Sequence, residues 1–152
     1  MIFCILRISL MIQVTRKEFE KGWARARSVY QVSGVDGITN NAHRLMLFYA
    51  VENGLKALIM KIERIRDGNA DFGDELHNIN KLLDRAGAIK SLRIMDNIRI
   101  KNASGNTQRG CGVGDINQMW RYGCVASQPS DSEIEGDLKT VAIWIEEQLA
   151  SN

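Results

Sequence analysis

The sequence has few of the residues that build disulfide frameworks, metal sites or disordered tails. Its 152 residues include three cysteines, two histidines and one proline. The cysteines are odd in number and form no Cys-x-x-Cys pair, which argues against a disulfide scaffold and a structural zinc site and is typical of a reducing, cytoplasmic compartment. No His/Glu pair has the spacing of a zinc helix, so we expect neither a metal nor another cofactor.

The chain also lacks a hydrophobic run long enough to span a membrane. Its most apolar stretch, Met1–Ile12, is shorter than the roughly 20 residues that a span needs, it contains Arg7, and no small-residue cleavage site follows. We expect residues 1–12 to be either an apolar arm or an extension ahead of a true start at Met11. Residues 13–152 are then one domain, because this length suits a single hydrophobic core.

Charge is divided unevenly along the chain. Residues 1–66 contain 11 Lys/Arg and 5 Asp/Glu, whereas residues 67–152 contain 9 and 13. A basic first half can bind phosphates, but it can equally pair with the acidic last helix of the same chain or of a second copy.

Two capping boxes predict helix starts at opposite ends of the chain. Thr15 is followed three residues later by Glu18, and Ser130 by Glu133. Apolar residues at helical spacing follow each box. They are Phe19, Trp23, Ala26 and Tyr30 after the first, and Ile134, Leu138, Val141, Ile145 and Leu149 after the second.

The longest helical pattern begins after a cap at Thr39 or Asn40. Its apolar stripe comprises Phe48, Val51, Leu55, Leu58, Ile62 and Ile65. Gly54 inside it costs about 1 kcal/mol relative to alanine, which predicts close approach by another helix. Glu52 and Lys56 are spaced for an ion pair on the helix surface.

Shorter helices are predicted between these long ones. One runs from about Asp74 to Ala86, and another is a short piece over Ile116–Gly123 after a glycine-rich loop, Asn102–Asp115. Ala88–Lys101 is ambiguous between helix and strand, and we favour helix because nothing nearby offers a pairing hairpin. The predicted fold class is therefore all-α, an antiparallel bundle of four to five helices.

Four residues are candidates for ligand binding, three of them for their chemistry and His77 only through the resemblance of its segment to a known family. Arg109 lies beside three glycines, although no strand precedes that loop and no Lys-Ser/Thr pair follows, so the loop is more typical of a flexible connection than of a phosphate cradle. Arg121 and Tyr122 follow Trp120 in "WRYG", which can stack on bases and bind phosphate or can equally end a helix in the core. His77 completes the set; it and His43 are the only histidines, and each is more often structural than catalytic.

Three segments together resemble the HEPN superfamily of nucleotide-binding helical domains. "FYAVENGLKALIMK" (Phe48–Lys61) is similar to the family's long helix, "ELHNINKLLDRAG" (Glu75–Gly87) to its third helix, and "WRYG" with the final helix to its closing segment. The resemblance implies a dimerising helical bundle from a bacterial toxin–antitoxin, phage-defence or nucleotide-handling system.

The ribonuclease branch of that family uses an arginine that is separated from a histidine by four to six intervening residues. Here the corresponding positions are Ala70–Phe72 before His77 and Asp36–Ile38 before His43, and none is arginine. The family's catalytic role therefore does not carry over to this chain. We expect a noncatalytic HEPN-like binding or regulatory subunit rather than an enzyme. It would be a homodimer whose ligand is a nucleotide, RNA or a partner protein encoded nearby.

The alternative is a metal-independent endoribonuclease with an atypical centre. Such a centre would draw on His43, Arg44, His77 and Arg121, with a histidine transferring protons and an arginine binding phosphate.

Overall fold

The computed structural model describes residues 12–32, 40–66, 70–73, 76–101 and 109–152. Within these residues the chain is mostly helical. The helices are α1 (Arg16–Val32), α2 (Asn41–Ile62), α3 (Ile79–Arg85), α4 (Ile116–Arg121) and α5 (Asp131–Ala150). The predicted arm falls mostly outside the described residues, and Ile12 is exposed.

The three long helices begin where the sequence predicts, because polar side chains cap their first turns. Thr15 and Glu18 exchange hydrogen bonds ahead of α1. The Asn40 carboxamide oxygen accepts from the His43 amide at the start of α2, and Ser130 with Glu133 forms the capping box of α5. Each cap satisfies amides that have no partner within their helix.

Helix α2 is the centre of the core. The α1–α2 pair is antiparallel, since Trp23 lies beside Gly54 and Tyr30 beside His43. Helix α5 runs parallel to α2 and antiparallel to α1. The predicted stripes of α2 and α5 are buried, except that Ile62 is 53% exposed and Ile65 and Leu149 are only partly buried.

Gly54 allows the close helix packing that its position predicts. A β-carbon there would lie 2.7 Å from Trp23 Cε3 and 2.9 Å from Ile145 Cγ2. Glycine therefore lets α1 and α5 approach α2 at the same level, and its cost in helix propensity is offset by this packing.

A small antiparallel sheet makes the all-α prediction wrong. Its strands are β1 (Ile98–Ile100), β2 (Arg109–Cys111) and β3 (Ala126–Gln128), in the order β2-β1-β3. Within the predicted helix over Ala88–Lys101, the structure has a 3₁₀ turn at Lys90–Leu92 and then β1. β1 forms by pairing with β2 and β3, which both come from later in the chain. The residues next to β1 therefore do not reveal its partners.

Helix α3 is shorter than predicted. Its cap is Asn78, whose side-chain oxygen accepts from the Lys81 amide, and it therefore begins at Ile79 rather than at about Asp74. Gly87 follows it with φ of 75°, the left-handed conformation that ends helices.

Asn80 supplies hydrogen bonds to the irregular segment after α3. Its side-chain amide donates to the Ile94 carbonyl and its side-chain oxygen accepts from the Ile94 amide, both at 2.8 Å. The residue is 3% exposed. This side chain thus pairs with Ile94 as a neighbouring strand would, and keeps that backbone satisfied in the core.

The basic first half pairs with the acidic last helix within one chain. Arg44 Nε lies 3.0 Å from Glu135 Oε2, and the Tyr30 hydroxyl donates to the same carboxylate at 2.6 Å. Burial opposes ionisation of Glu135, but the hydrogen bonds from Tyr30 and Arg44 outweigh it, so its pKa is lowered. Arg27 also pairs with Glu146. These ion pairs explain part of the excess of basic residues in the first half of the chain. For these residues no nucleic-acid ligand needs to be invoked.

Candidate ligand-binding site

One face of α2 carries a polar row through an otherwise apolar helix. Tyr49, Glu52 and Lys56 are separated by three and four residues, so they project from the same side. Glu52 is 6% and Lys56 is 4% exposed. Charged side chains at this depth are rare unless they are paired.

Glu52 and Lys56 form the predicted ion pair, but it is buried and not at the helix surface. Lys56 Nζ lies 2.5 Å from Glu52 Oε1. The ammonium also lies 5.8 Å from the ring centre of Phe19 and 5.5 Å from that of Phe72. The aromatic rings cover the lysine from the α1 side and from the segment before α3, which is why the pair is shielded from water.

His77 joins this buried pair to the surface. It lies in the turn before α3, its Nδ1 is 3.2 Å from Glu52 Oε1, and its side chain is 46% exposed. A carboxylate on one imidazole nitrogen orients the ring and leaves the other nitrogen available. The arrangement therefore holds a half-exposed histidine in a fixed orientation.

Arg121 reaches the same face of α2 from the end of α4. Its guanidinium donates to the Tyr49 hydroxyl at 3.1 Å, and this hydrogen bond raises the pKa of Arg121 further above its already high value. Tyr49 and Glu52 differ by about 4.5 Å along the helix axis. The structure thus brings Arg121 and His77 to neighbouring turns of one helix face.

Tyr122 and Trp120 take opposite roles on either side of Arg121. The Tyr122 side chain is 73% exposed. Trp120 is buried and its indole nitrogen donates to Asp131 Oδ1 at 2.8 Å. Of the two interpretations of "WRYG", the core role holds for Trp120, while Arg121 is hydrogen-bonded to a phenol instead of an acidic residue.

His43 and Arg44 belong to a different part of the molecule. His43 is 8% exposed and its ring meets Tyr30 edge to face at 4.5 Å between centroids. It precedes Glu52 by nine residues, which places it about 13 Å away along the axis and on the opposite side of the helix. Arg44 faces α5. The structure therefore does not bring the four residues of the atypical ribonuclease centre together.

Arg109 also lies outside the His77–Arg121 face. It is on β2, and its guanidinium donates to the Lys101 carbonyl at 2.7 Å. The neighbouring glycines Gly110 and Gly112 line an open groove of about 390 Å³ together with residues 96–99 and Cys111. Half of the predicted glycine-rich loop, residues 102–108, lies outside the described residues.

Within the described ranges, no group of three or more His, Cys, Asp or Glu side chains is arranged to hold a metal ion. Nor does any helix in those ranges have the length and hydropathy needed to cross a bilayer. No family model, curated protein or solved structure matches this chain.

The sequence predicts His77 and Arg121 as candidate site residues, but it does not predict that Glu52 and Lys56 are buried beside them. The spacing of Glu52 and Lys56 is the same for a surface pair as for a buried one. Apolar residues adjoin both members of the pair: Val51 precedes Glu52, and Leu55 and Ala57 flank Lys56. This pattern favours burial, although Asn53 and Gly54 interrupt the apolar run.

Proposed function

We propose that this chain is a noncatalytic, HEPN-like binding or regulatory subunit in a bacterial defence, toxin–antitoxin or nucleotide-handling system. Its ligand is a nucleotide or RNA, recognised at the face formed by Arg121, Tyr122 and His77. One observation carries the proposal: Arg121 and His77, which come from other parts of the chain, both contact α2. Arg121 contacts Tyr49 and His77 contacts Glu52, three residues further along the same helix face.

The chemistry of this face suits a phosphate beside a base. A guanidinium presents several N–H donors that match phosphate oxygens. The guanidinium of Arg121 donates to the Tyr49 hydroxyl and also interacts with the Tyr122 phenol. The exposed phenol of Tyr122 follows directly, and an aromatic ring can stack on a base without reading its sequence. His77 adds a polar nitrogen at the same face.

The helical arrangement supports the family assignment in part. A long central helix, a short third helix and a long final helix occur in the order that the resemblance implies, but His77 precedes the third helix instead of lying in it. The three-stranded sheet between α3 and α5 departs from a purely helical bundle. Arg109 lies on that sheet, so we assign it no contact with the ligand.

Substitution of Arg121 tests the proposal. Fluorescence anisotropy with a labelled structured RNA, and separately with a labelled nucleoside triphosphate, measures the Kd of the wild type and of Arg121→Ala. Loss of a charged hydrogen bond of about 1.5 kcal/mol predicts roughly tenfold weaker binding. The matched control is Arg25→Ala, which removes the same charge from an exposed position on α1.

Arg25→Ala should change the Kd by less than twofold at 150 mM salt, where exposed distant charges are screened. Equal binding by wild type and Arg121→Ala, with both folded, would remove Arg121 from the site. Equal weakening by both variants would indicate nonspecific attraction between the basic first half and a polyanion.

A metal-independent endoribonuclease is the second candidate, and one observation favours it. The His77–Glu52 contact leaves a half-exposed imidazole that is held by a carboxylate, an arrangement suited to general acid–base chemistry. Incubation of micromolar protein with structured RNA in EDTA distinguishes the two functions. The noncatalytic proposal predicts no cleavage; cleavage that disappears in His77→Asn would replace it with the enzymatic one.

We further propose that the subunit acts as a homodimer or on a partner protein encoded nearby. Large apolar side chains that remain exposed on this protomer give such an interface material to bury. They include Val29, Val32, Ile89, Met95 and Ile143. Light scattering at increasing protein concentration tests the dimer: a mass near twice the 17.1 kDa of one chain is expected, and a constant monomer mass contradicts it.

A further inference from the structure

The carboxylate of Glu52 is held in the core in an unusual way. Its Oε1 atom lies 2.5 Å from Lys56 Nζ and 3.2 Å from His77 Nδ1. Its other oxygen, Oε2, is buried without a hydrogen-bond partner among the described residues. The large majority of buried side-chain polar atoms in proteins have at least one hydrogen-bond partner.

Stability alone does not explain this pair. Moving two charges out of water costs several kcal/mol per ion, and replacing a buried pair by apolar side chains of similar volume is often neutral or stabilising. Met at positions 52 and 56 would suit the apolar surroundings, which include Phe19 and Phe72. The pair therefore has a property that two methionines would not supply.

That property is a negative charge next to His77. Lys56 neutralises Glu52 inside the core, so the carboxylate can stay ionised there. An ionised carboxylate has no hydrogen to donate and must accept one from the imidazole. His77 Nδ1 consequently carries hydrogen in both the neutral and the protonated ring.

We propose that Glu52 and Lys56 are positioning residues that hold His77 with its hydrogen on Nδ1 and its Nε2 turned to a ligand. In the neutral ring Nε2 is then a hydrogen-bond acceptor. Arg121 presents cationic donors beside Tyr49, which lies three residues before Glu52 on α2. The pair of groups fits a ligand that carries an anion on one side and a hydroxyl or amino donor on the other.

The tautomer of His77 tests this assignment directly and needs no ligand. Long-range ¹H–¹⁵N correlation spectra of ¹⁵N-labelled protein at alkaline pH distinguish hydrogen on Nδ1 from hydrogen on Nε2. The sequence has only two histidines, so the His77→Asn variant assigns the signals and His43 serves as the internal reference. The expected wild-type result is hydrogen on Nδ1; hydrogen on Nε2 overturns the proposal without any variant.

The double variant Glu52→Met, Lys56→Met gives the matched comparison. It removes both charges together, so neither is left buried without a partner. We expect the double variant to fold and to show a cooperative unfolding transition. We also expect the neutral ring of His77 to change tautomer, with its hydrogen on Nε2. A folded double variant that keeps hydrogen on Nδ1 contradicts the positioning role, because a purely structural pair would alter stability and leave the tautomer unchanged.

The consequence for binding rests on the function proposed above. With the same labelled RNA, the double variant should bind about five- to tenfold more weakly, as should His77→Asn, in line with the loss of about one hydrogen bond. Unchanged affinity in a folded double variant would refute the positioning role while leaving the binding function intact. If wild type itself binds neither RNA nor nucleotide, the proposed function fails, and the tautomer measurement still decides the role of Glu52 and Lys56.

Discussion

Gly54 of α2 faces Trp23 of α1 with no room for a side chain between them. The distance from a β-carbon at position 54 to Trp23 Cε3 would be 2.7 Å, closer than side chains pack. The indole edge and the Ile145 side chain approach from two different helices. A residue that weakens α2 as an isolated helix is thus what lets three helices meet.

Gly54→Ala should destabilise the protein, although alanine is the better helix former. Overpacking by one methyl group costs about 1–3 kcal/mol, which exceeds the propensity gain of about 1 kcal/mol. Urea denaturation measures the free energy of unfolding. Gly136→Ala on α5 is the matched control, because a β-carbon there meets nothing within 4 Å, and it should stabilise by about 0.5–1 kcal/mol. A stabilised Gly54→Ala variant would show that Trp23 moves aside readily.

Removal of one member of the buried ion pair of Glu52 and Lys56 should lower the free energy of unfolding more than removal of both. Lys56→Met leaves the Glu52 carboxylate in the core without its cation, a loss of about 3–5 kcal/mol. The double variant with Glu52→Met should lie within about 1.5 kcal/mol of wild type, as volume-conserving core substitutions do. The free energies of unfolding of the two single variants and the double variant form the test. Additive effects would mean that the two side chains do not interact.

At position 131, loss of the acceptor oxygen should lower the stability of the protein more than loss of the negative charge. Its Oδ1 accepts from Trp120 Nε1 at 2.8 Å and from the Ala126 amide at 3.2 Å. Asp131→Ala leaves two buried donors unpaired, at about 1–3 kcal/mol each. Asp131→Asn retains an acceptor and should lose less, as thermal unfolding followed by circular dichroism can show. Equal losses would assign the effect to the charge of Asp131, whose Oδ2 lies 4.0 Å from Arg44 Nη1.

Stability should fall in acid because Glu135 is more acidic in the folded protein than in the unfolded chain. Hydrogen bonds from Tyr30 and Arg44 outweigh burial and lower its pKa. The unfolded chain therefore binds the proton first as pH falls, so this contribution is present above about pH 4.3 and is lost below it, through the folded pKa. The free energy of unfolding of Glu135→Gln should decline less steeply than that of wild type as the pH falls below about 4.3. An unchanged slope in that variant would assign acid sensitivity to other carboxylates.

The long helices could be predicted from sequence because their signals are local. A capping box and a stripe of apolar residues lie within a few turns of each other in α1 and α5, and both signals agree. The sheet could not be predicted in this way. Each strand has three residues, too few for an alternating pattern, and β1 pairs with segments that follow the loop 102–108 and the helix α4.

The candidate site was predictable only in its exposed members. Arg121 and Tyr122 stand out as adjacent residues with recognisable chemistry, and His77 is one of two histidines. Burial of Glu52 and Lys56 depends on Phe19 and Phe72, which are distant in sequence and come together only in the fold. The contact of His77 with Glu52 spans 25 positions, so no local pattern encodes it.

The pairing of Asn80 with Ile94 restricts what evolution or a designer can place at position 80. The position needs a short side chain that gives one hydrogen and takes another in the same plane. Aspartate has the shape without the hydrogen, and leucine has the volume without either group. Glutamine has both groups on a longer stem. Tolerance to substitution at this position should therefore be narrow, even though it lies far from any group proposed to bind a ligand.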